Sequence, residues 1–226
     1  MNILAIDSST DLLAVAVRCS AGWAEASLDV GLRHAERLMA LIDRCVEDSG
    51  VGKSGIGLVA CASGPGSFTG LRIGMSTTKG IAAGLGIPWV AVPTLDCLAW
   101  GYEAFRGAVV PIIDGKKGRV YSAIYLRGTR MGSWLDLPLA RLAALLDTYP
   151  EALVTGPDAE LFRGYASERS GFEIDRRAGS SAARALASLG EEVFRRDGAA
   201  RADFGPLYLR PSEAEETAMG DRKAPA

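Results

Sequence analysis

Two short stretches carry residue types that chemistry would need. The first is Asp7-Ser8-Ser9-Thr10, a carboxylate and three hydroxyls closing the apolar run 2–6. Such a set can hydrogen-bond a phosphate or a metal-bound water, and it is equally the composition of an ordinary polar turn. The second is Gly64-Pro65-Gly66-Ser67-Phe68-Thr69-Gly70-Leu71-Arg72-Ile73-Gly74, which follows the strand-like run 56–62 and leads into a small-residue helix over 71–85. A strand, turn and helix unit aims backbone N–H groups at the helix start, where roughly half a positive charge gathers and an anion is favoured. Gly64, Gly66, Ser67, Thr69, Gly70 and Arg72 are the candidate anion-binding residues there, beside Asp7, Ser8, Ser9 and Thr10. Gly and Pro also build plain tight turns, so this loop keeps a structural reading of equal weight.

Two nucleotide motifs fail on this loop. A P-loop counted from Gly64 needs Gly at 69 followed by Lys, and the residues are Thr69 and Gly70. A Gly-x-Gly-x-x-Gly fingerprint from Gly64 also meets Thr69 where its third Gly belongs. Metal and nucleophile chemistry find little else. The chain has one histidine, His34, on the first turn of a helix, so neither a two-His metal site nor a Ser-His-Asp set assembles around it. Cys19, Cys45, Cys61 and Cys97 lie far apart inside apolar runs without a Cys-x-x-Cys, which predicts four buried free thiols in a reducing compartment.

These residues must be positioned by a chain of 226 residues, long enough for a self-sufficient core in one large domain or two small ones. Its formal net charge of −2 provides no general field for nucleic acid, so any such contact needs a local patch. No basic leader and no 18-residue apolar span are visible, which predicts a cytoplasmic protein with no membrane segment.

The opening reads as three short strands, 2–6, 12–17 and 22–28, joined by tight turns. An amphipathic helix over 32–49 follows, with Ala35, Leu38, Met39, Ile42, Cys45 and Val46 at i, i+3, i+4, i+7 spacing and Leu41 off that stripe. The helix over 71–85 contains Gly74, Gly80 and Gly84, each costing about 1 kcal/mol against Ala, so either another backbone comes close or the helix is loose. Apolar excess on these helices predicts a partner surface formed by Leu38, Leu41, Ile42, Cys45, Gly74, Thr77, Thr78 and Ile81. A strand at 89–92 and a helix over 93–105 complete a first unit of 1–105. From 106 the pattern strand, Asp114, turn, strand begins again, giving a smaller second lobe over 106–212 with helices near 139–149, 159–167 and 180–196, then a polar flexible tail over 213–226.

Strand-Asp-turn-strand-strand-helix-strand-helix, started twice, resembles the actin, Hsp70 and sugar-kinase superfamily, an α/β fold of ribonuclease H-like lobes with the second lobe smaller and degenerate. Within it, the loop from Gly64 to Gly74 resembles the hallmark loop of the TsaB (YeaZ) family. Ile3-Leu4-Ala5-Ile6-Asp7-Ser8-Ser9-Thr10, Ile113-Asp114-Gly115-Lys116-Lys117-Gly118-Arg119-Val120-Tyr121 and Leu207-Tyr208-Leu209-Arg210-Pro211 are similar too. The resemblance implies a noncatalytic subunit in making threonylcarbamoyladenosine, the tRNA base next to the anticodon. It implies pairing with a TsaD-like catalytic subunit and a TsaE-like ATPase, a homodimer in their absence, contact with tRNA through the complex, and no cofactor beyond ATP or ADP at the complex interface. The sister subunit's His-x-x-x-His falls here on Pro93-Thr94-Leu95-Asp96-Cys97-Leu98, which has no His. Asp114-Gly115-Lys116-Lys117-Gly118 also departs from the Asp-Gly-Gly-Thr-type phosphate loop. An actin-like ATPase or small-molecule kinase, with Asp7 orienting a metal-bound water, is the alternative.

Overall fold

In a computed structural model the described residues are 1–175 and 181–211. The expectation of a flexible tail over 213–226 lies outside them. The first strand, β1 (Ile3–Asp7), is buried at every position, which requires cover on both faces. Its side chains divide accordingly: Leu4 and Ile6 join one core cluster, Ile3 and Ala5 another. β2 (Leu12–Cys19) returns antiparallel to β1 and β3 (Gly22–Asp29) follows as a meander. α1 (His34–Asp48) leads to β4 (Leu58–Ala62), which runs parallel to β1. α2 (Phe68–Leu85) and β5 (Trp89–Val92) complete a sheet of order β3-β2-β1-β4-β5. α1 and α2 cover one face of it.

The second half repeats the plan. After α3 (Thr94–Ala99), β6 (Ala108–Asp114), β7 (Arg119–Leu126) and β8 (Thr129–Pro138) form another meander. α4 (Leu139–Leu146), β9 (Ala152–Thr155), α5 (Arg163–Ser167) and β10 (Phe172–Ile174) follow. The order β8-β7-β6-β9-β10 matches the first sheet strand for strand, including the parallel β6–β9 pair. The doubled α/β plan expected from the sequence is therefore present.

Several details differ from the sequence reading. The chain does not stay with the second lobe: α6 (Ala183–Asp197), placed by sequence within 106–212, packs on the first sheet through Ala183, Leu186 and Ala187. α2 begins at Phe68 rather than Leu71 because Ser67 caps it, its Oγ accepting the Gly70 N–H at 3.2 Å. α3 stops at Ala99, well short of 105, ahead of Gly101 at φ 88°. β8 carries no sustained apolar alternation, and β10 alternates as Phe172-Glu173-Ile174 but is too short at three residues to announce itself. β8 is an edge strand with no buried residue, held by the hairpin turn at Arg127 (φ 49°) and Gly128 (φ 78°).

Candidate functional site

The turn after β1 and the loop before α2 are packed into each other. Ser9 donates to Asp7 Oδ1 through its backbone N–H at 3.0 Å and its hydroxyl at 2.6 Å. Ser8 Oγ donates to the Gly70 carbonyl at 2.8 Å, and the Ser67 N–H donates to the Ser9 carbonyl at 2.7 Å. A Cβ at Gly66, Gly70 or Gly74 would fall inside 3.0 Å of Ser9 O, Ser8 O and Ser8 Oγ respectively. Those three glycines exist so that α2 can lie directly on the turn. Gly64, at φ 108°, exchanges bonds with Thr94: its N–H reaches Thr94 Oγ1 at 3.1 Å and its carbonyl accepts the Thr94 N–H at 2.8 Å.

Several of the residues expected to bind an anion are committed within the fold. The hydroxyls of Ser8 and Ser9 and the N–H groups of Gly64, Ser67 and Gly70 are occupied inside the fold, and Thr69 does not line the adjoining cavity. Asp7 is buried, and that burial raises its carboxyl above the ordinary Asp range, with the Ser9 bonds and His34 opposing. Arg72 is committed elsewhere. Its guanidinium carbon sits 3.9 Å from the Phe68 ring centroid and its Nε donates to Tyr208 Oη at 3.0 Å. His34 is 3% exposed and holds the Thr10 carbonyl from Nε2 at 2.7 Å.

A cleft of about 670 Å³ separates the two lobes beside this turn. Ser9, Thr10, Gly66 and Ser67 line it from the first lobe, so four of the ten sequence candidates do face it. Among the described residues its charged lining is Asp11, Asp29, Asp114 and Asp158 against Lys116 and Arg210. Lys116 is paired with Asp114 at 3.0 Å, and Asp158 accepts the Asp114 N–H at 2.8 Å. Burial is the main cause raising the Asp158 carboxyl, and the Asp114 and Asp11 charges add to it. Three of these acids escaped the sequence reading. Asp114 was visible as the repeat of Asp7, whereas Asp11, Asp29 and Asp158 have no shared spacing and converge only in the fold.

The expected partner surface is also corrected. Leu38, Leu41, Ile42 and Cys45 are all buried in the core over the first sheet, as are Gly74 and Thr78 on α2, while Thr77 and Ile81 are half-buried. The α1 stripe is rotated from the predicted phase: Leu41 turns in, and Ala35 and Met39 turn out, Met39 being 49% exposed. On α2 the exposed positions include Ser76, Gly80, Ala83 and Gly84, and a Cβ at Gly80 or Gly84 would meet nothing within 4 Å among the described residues. Of the four cysteines, Cys45, Cys61 and Cys97 are buried free thiols as expected, and Cys19 is partly exposed.

Comparison with known proteins places this architecture. Residues 29–156, more than half of the chain, match the family model described as "TsaD: tRNA N6-adenosine threonylcarbamoyltransferase". The chain is 36% identical over 126 residues to the tRNA threonylcarbamoyladenosine biosynthesis protein TsaB of Bacillus subtilis, covering 55% of each. It is 36% identical over 137 residues to TsaB of Escherichia coli, covering 59% of this chain and 58% of that one. The chain thus spans a little over half the length of the curated relatives it matches. YeaZ from Pseudomonas aeruginosa superimposes with a TM-score of 0.77 at 27% identity, over 92% of this chain and 99% of that one. A Bacteroides thetaiotaomicron protein described as having an actin-like ATPase fold aligns at 0.51 and 11% identity, a likeness of fold alone. With a family model over more than half its length and a YeaZ structure over nearly all of it, this chain belongs to the TsaD family, among its TsaB (YeaZ) members.

Proposed function

We propose that this protein is a noncatalytic subunit of the machinery that makes threonylcarbamoyladenosine in tRNA, and that it works by pairing with a TsaD-like catalytic chain. Its relatives in Bacillus subtilis and Escherichia coli are named as biosynthesis proteins of that modification. The observation that carries the noncatalytic half of the reading is the state of His34. The chain's one histidine is buried against the Thr10 carbonyl and is no part of the cleft wall. Metal-dependent transfer by a two-His site therefore belongs to the partner. The cleft wall, with four carboxylates against two cations, is a poor host for a triphosphate. Any ATP or ADP, like the TsaE-like ATPase and the tRNA, is engaged by the assembled complex rather than by this cleft.

The partner face in this reading is the outer side of α2 with Met39 of the neighbouring α1. Small residues at Ser76, Gly80, Ala83 and Gly84 leave a shallow lane in which another helix can approach closely. In the absence of the partner, a second copy uses the same lane. Mixing the chain with the TsaD-like protein of its own organism and sizing the product tests this, with Gly80→Arg as the probe. The side chain has room, so the variant stays folded and loses association. Wild-type chain that fails to associate defeats the partner reading, and a Gly80→Arg chain that still associates moves the interface elsewhere.

A further inference from the structure

We infer that residues 200–211 form a clasp that holds the two lobes at one separation and so fixes the width of the cleft. The segment has neither helix nor strand, yet it is anchored every two or three residues. On the first lobe, the Ala200 N–H donates to the Trp89 carbonyl at 2.8 Å. The Lys79 ammonium donates to the carbonyls of Ala202 at 2.9 Å and Phe204 at 2.7 Å, and the Leu207 N–H donates to the Ser63 carbonyl at 2.7 Å. Tyr208 then stacks on Phe68 with centroids 4.5 Å apart while its hydroxyl accepts from Arg72.

The next two residues change sides. Leu209 packs into the core that covers the second sheet, with Ile113 and Tyr121. Arg210 donates to the Gly115 carbonyl and carries its guanidinium 5.8 Å from the Tyr121 ring centroid. Gly115 sits in the turn between β6 and β7, on the far wall of the cleft from Gly66 and Ser67. Adjacent residues of one backbone are thus fastened to opposite walls. Two trans peptide units span at most about 7 Å, so the walls cannot separate unless one set of anchors lets go. Tyr208 and Arg210 are the latch residues, and both sit at the cleft, where release requires no disruption of either sheet.

Hydrogen exchange on the full chain tests this, comparing wild type with Tyr208→Ala and, separately, Arg210→Ala. Loss of either latch is expected to speed exchange roughly tenfold in both walls, 64–68 and 113–121, with β1, β2 and β9 unchanged. Tyr208→Phe, which keeps the stack and loses the hydroxyl, should give a smaller rise in the same two segments. A rise confined to 205–211 would mean that the segment only covers surface, and a uniform rise over the whole chain would mean that it only adds global stability. Either result overturns the clasp.

Discussion

The glycines of α2 permit the same substitution to be made twice with opposite expected effect. At Gly70 an added Cβ falls inside 3.0 Å of the Ser8 carbonyl oxygen, a backbone atom that cannot swing aside, and 3.3 Å from Ser67 Cβ. The first turn of α2 must lift, at an overpacking cost of about 1–3 kcal/mol, with about 1 kcal/mol more if the Ser8 Oγ bond to the Gly70 carbonyl breaks. At Gly80, in the interior of the same helix, an added Cβ meets nothing within 4 Å among the described residues. There Gly→Ala lowers unfolded-chain entropy without strain and stabilises by about 0.5–1 kcal/mol. The two variants should therefore differ by roughly 1.5–5 kcal/mol in urea unfolding at equal m-value, or by about 3–20 °C in Tm for a chain of this size. Equal stabilities, or a Gly80→Ala variant less stable than Gly70→Ala, would refute the assignment of Gly70 to close packing and Gly80 to an open lane.

Asp7 gives a pH test. Its folded-state carboxyl is raised by burial, so the stability it contributes is complete below the unfolded value of 3.8 and is lost as pH rises through the folded value. Wild type should lose stability relative to Asp7→Asn between acid and neutral pH in paired melts, and a difference that stays flat or grows in favour of wild type contradicts the buried state. On α1, Leu38→Arg puts a charge where the side chain is 1% exposed and should cost 3 kcal/mol or more, whereas Met39→Arg should leave unfolding nearly unchanged and weaken partner association. Matching melting curves for the two would place the helix in the wrong phase.

Much of the fold was legible because short apolar runs ending in Asp7 and Asp114 mark the two meanders, whereas the Ser67 cap before Phe68 was passed over and the helix start placed three residues late. The phase of α1 was not. Apolar residues at 35, 38, 39, 41, 42, 45 and 46 span more than one face, and the tie is broken by His34, a polar residue turned inward by its bond to Thr10. The glycines contain a signal that spacing could have yielded. Gly70 and Gly74 form one i, i+4 pair and Gly80 and Gly84 another, and at 3.6 residues per turn the pairs face directions about 80° apart. One pair meets Ser8 and the other meets open space. The cleft acids and the return of α6 to the first sheet depend on long-range topology, which no local pattern encodes.

The central claim is that this chain enables a partner's chemistry and performs none itself. The most direct measurement supplies tRNA and threonylcarbamoyl-adenylate labelled in its threonine moiety to the TsaD-like protein alone, to this chain alone, and to the equimolar pair, and follows label entering tRNA. The account predicts background with this chain alone and turnover by the pair well above that of the TsaD-like protein alone. Label transferred by this chain without its partner, or a partner rate unchanged by its addition, would contradict the account.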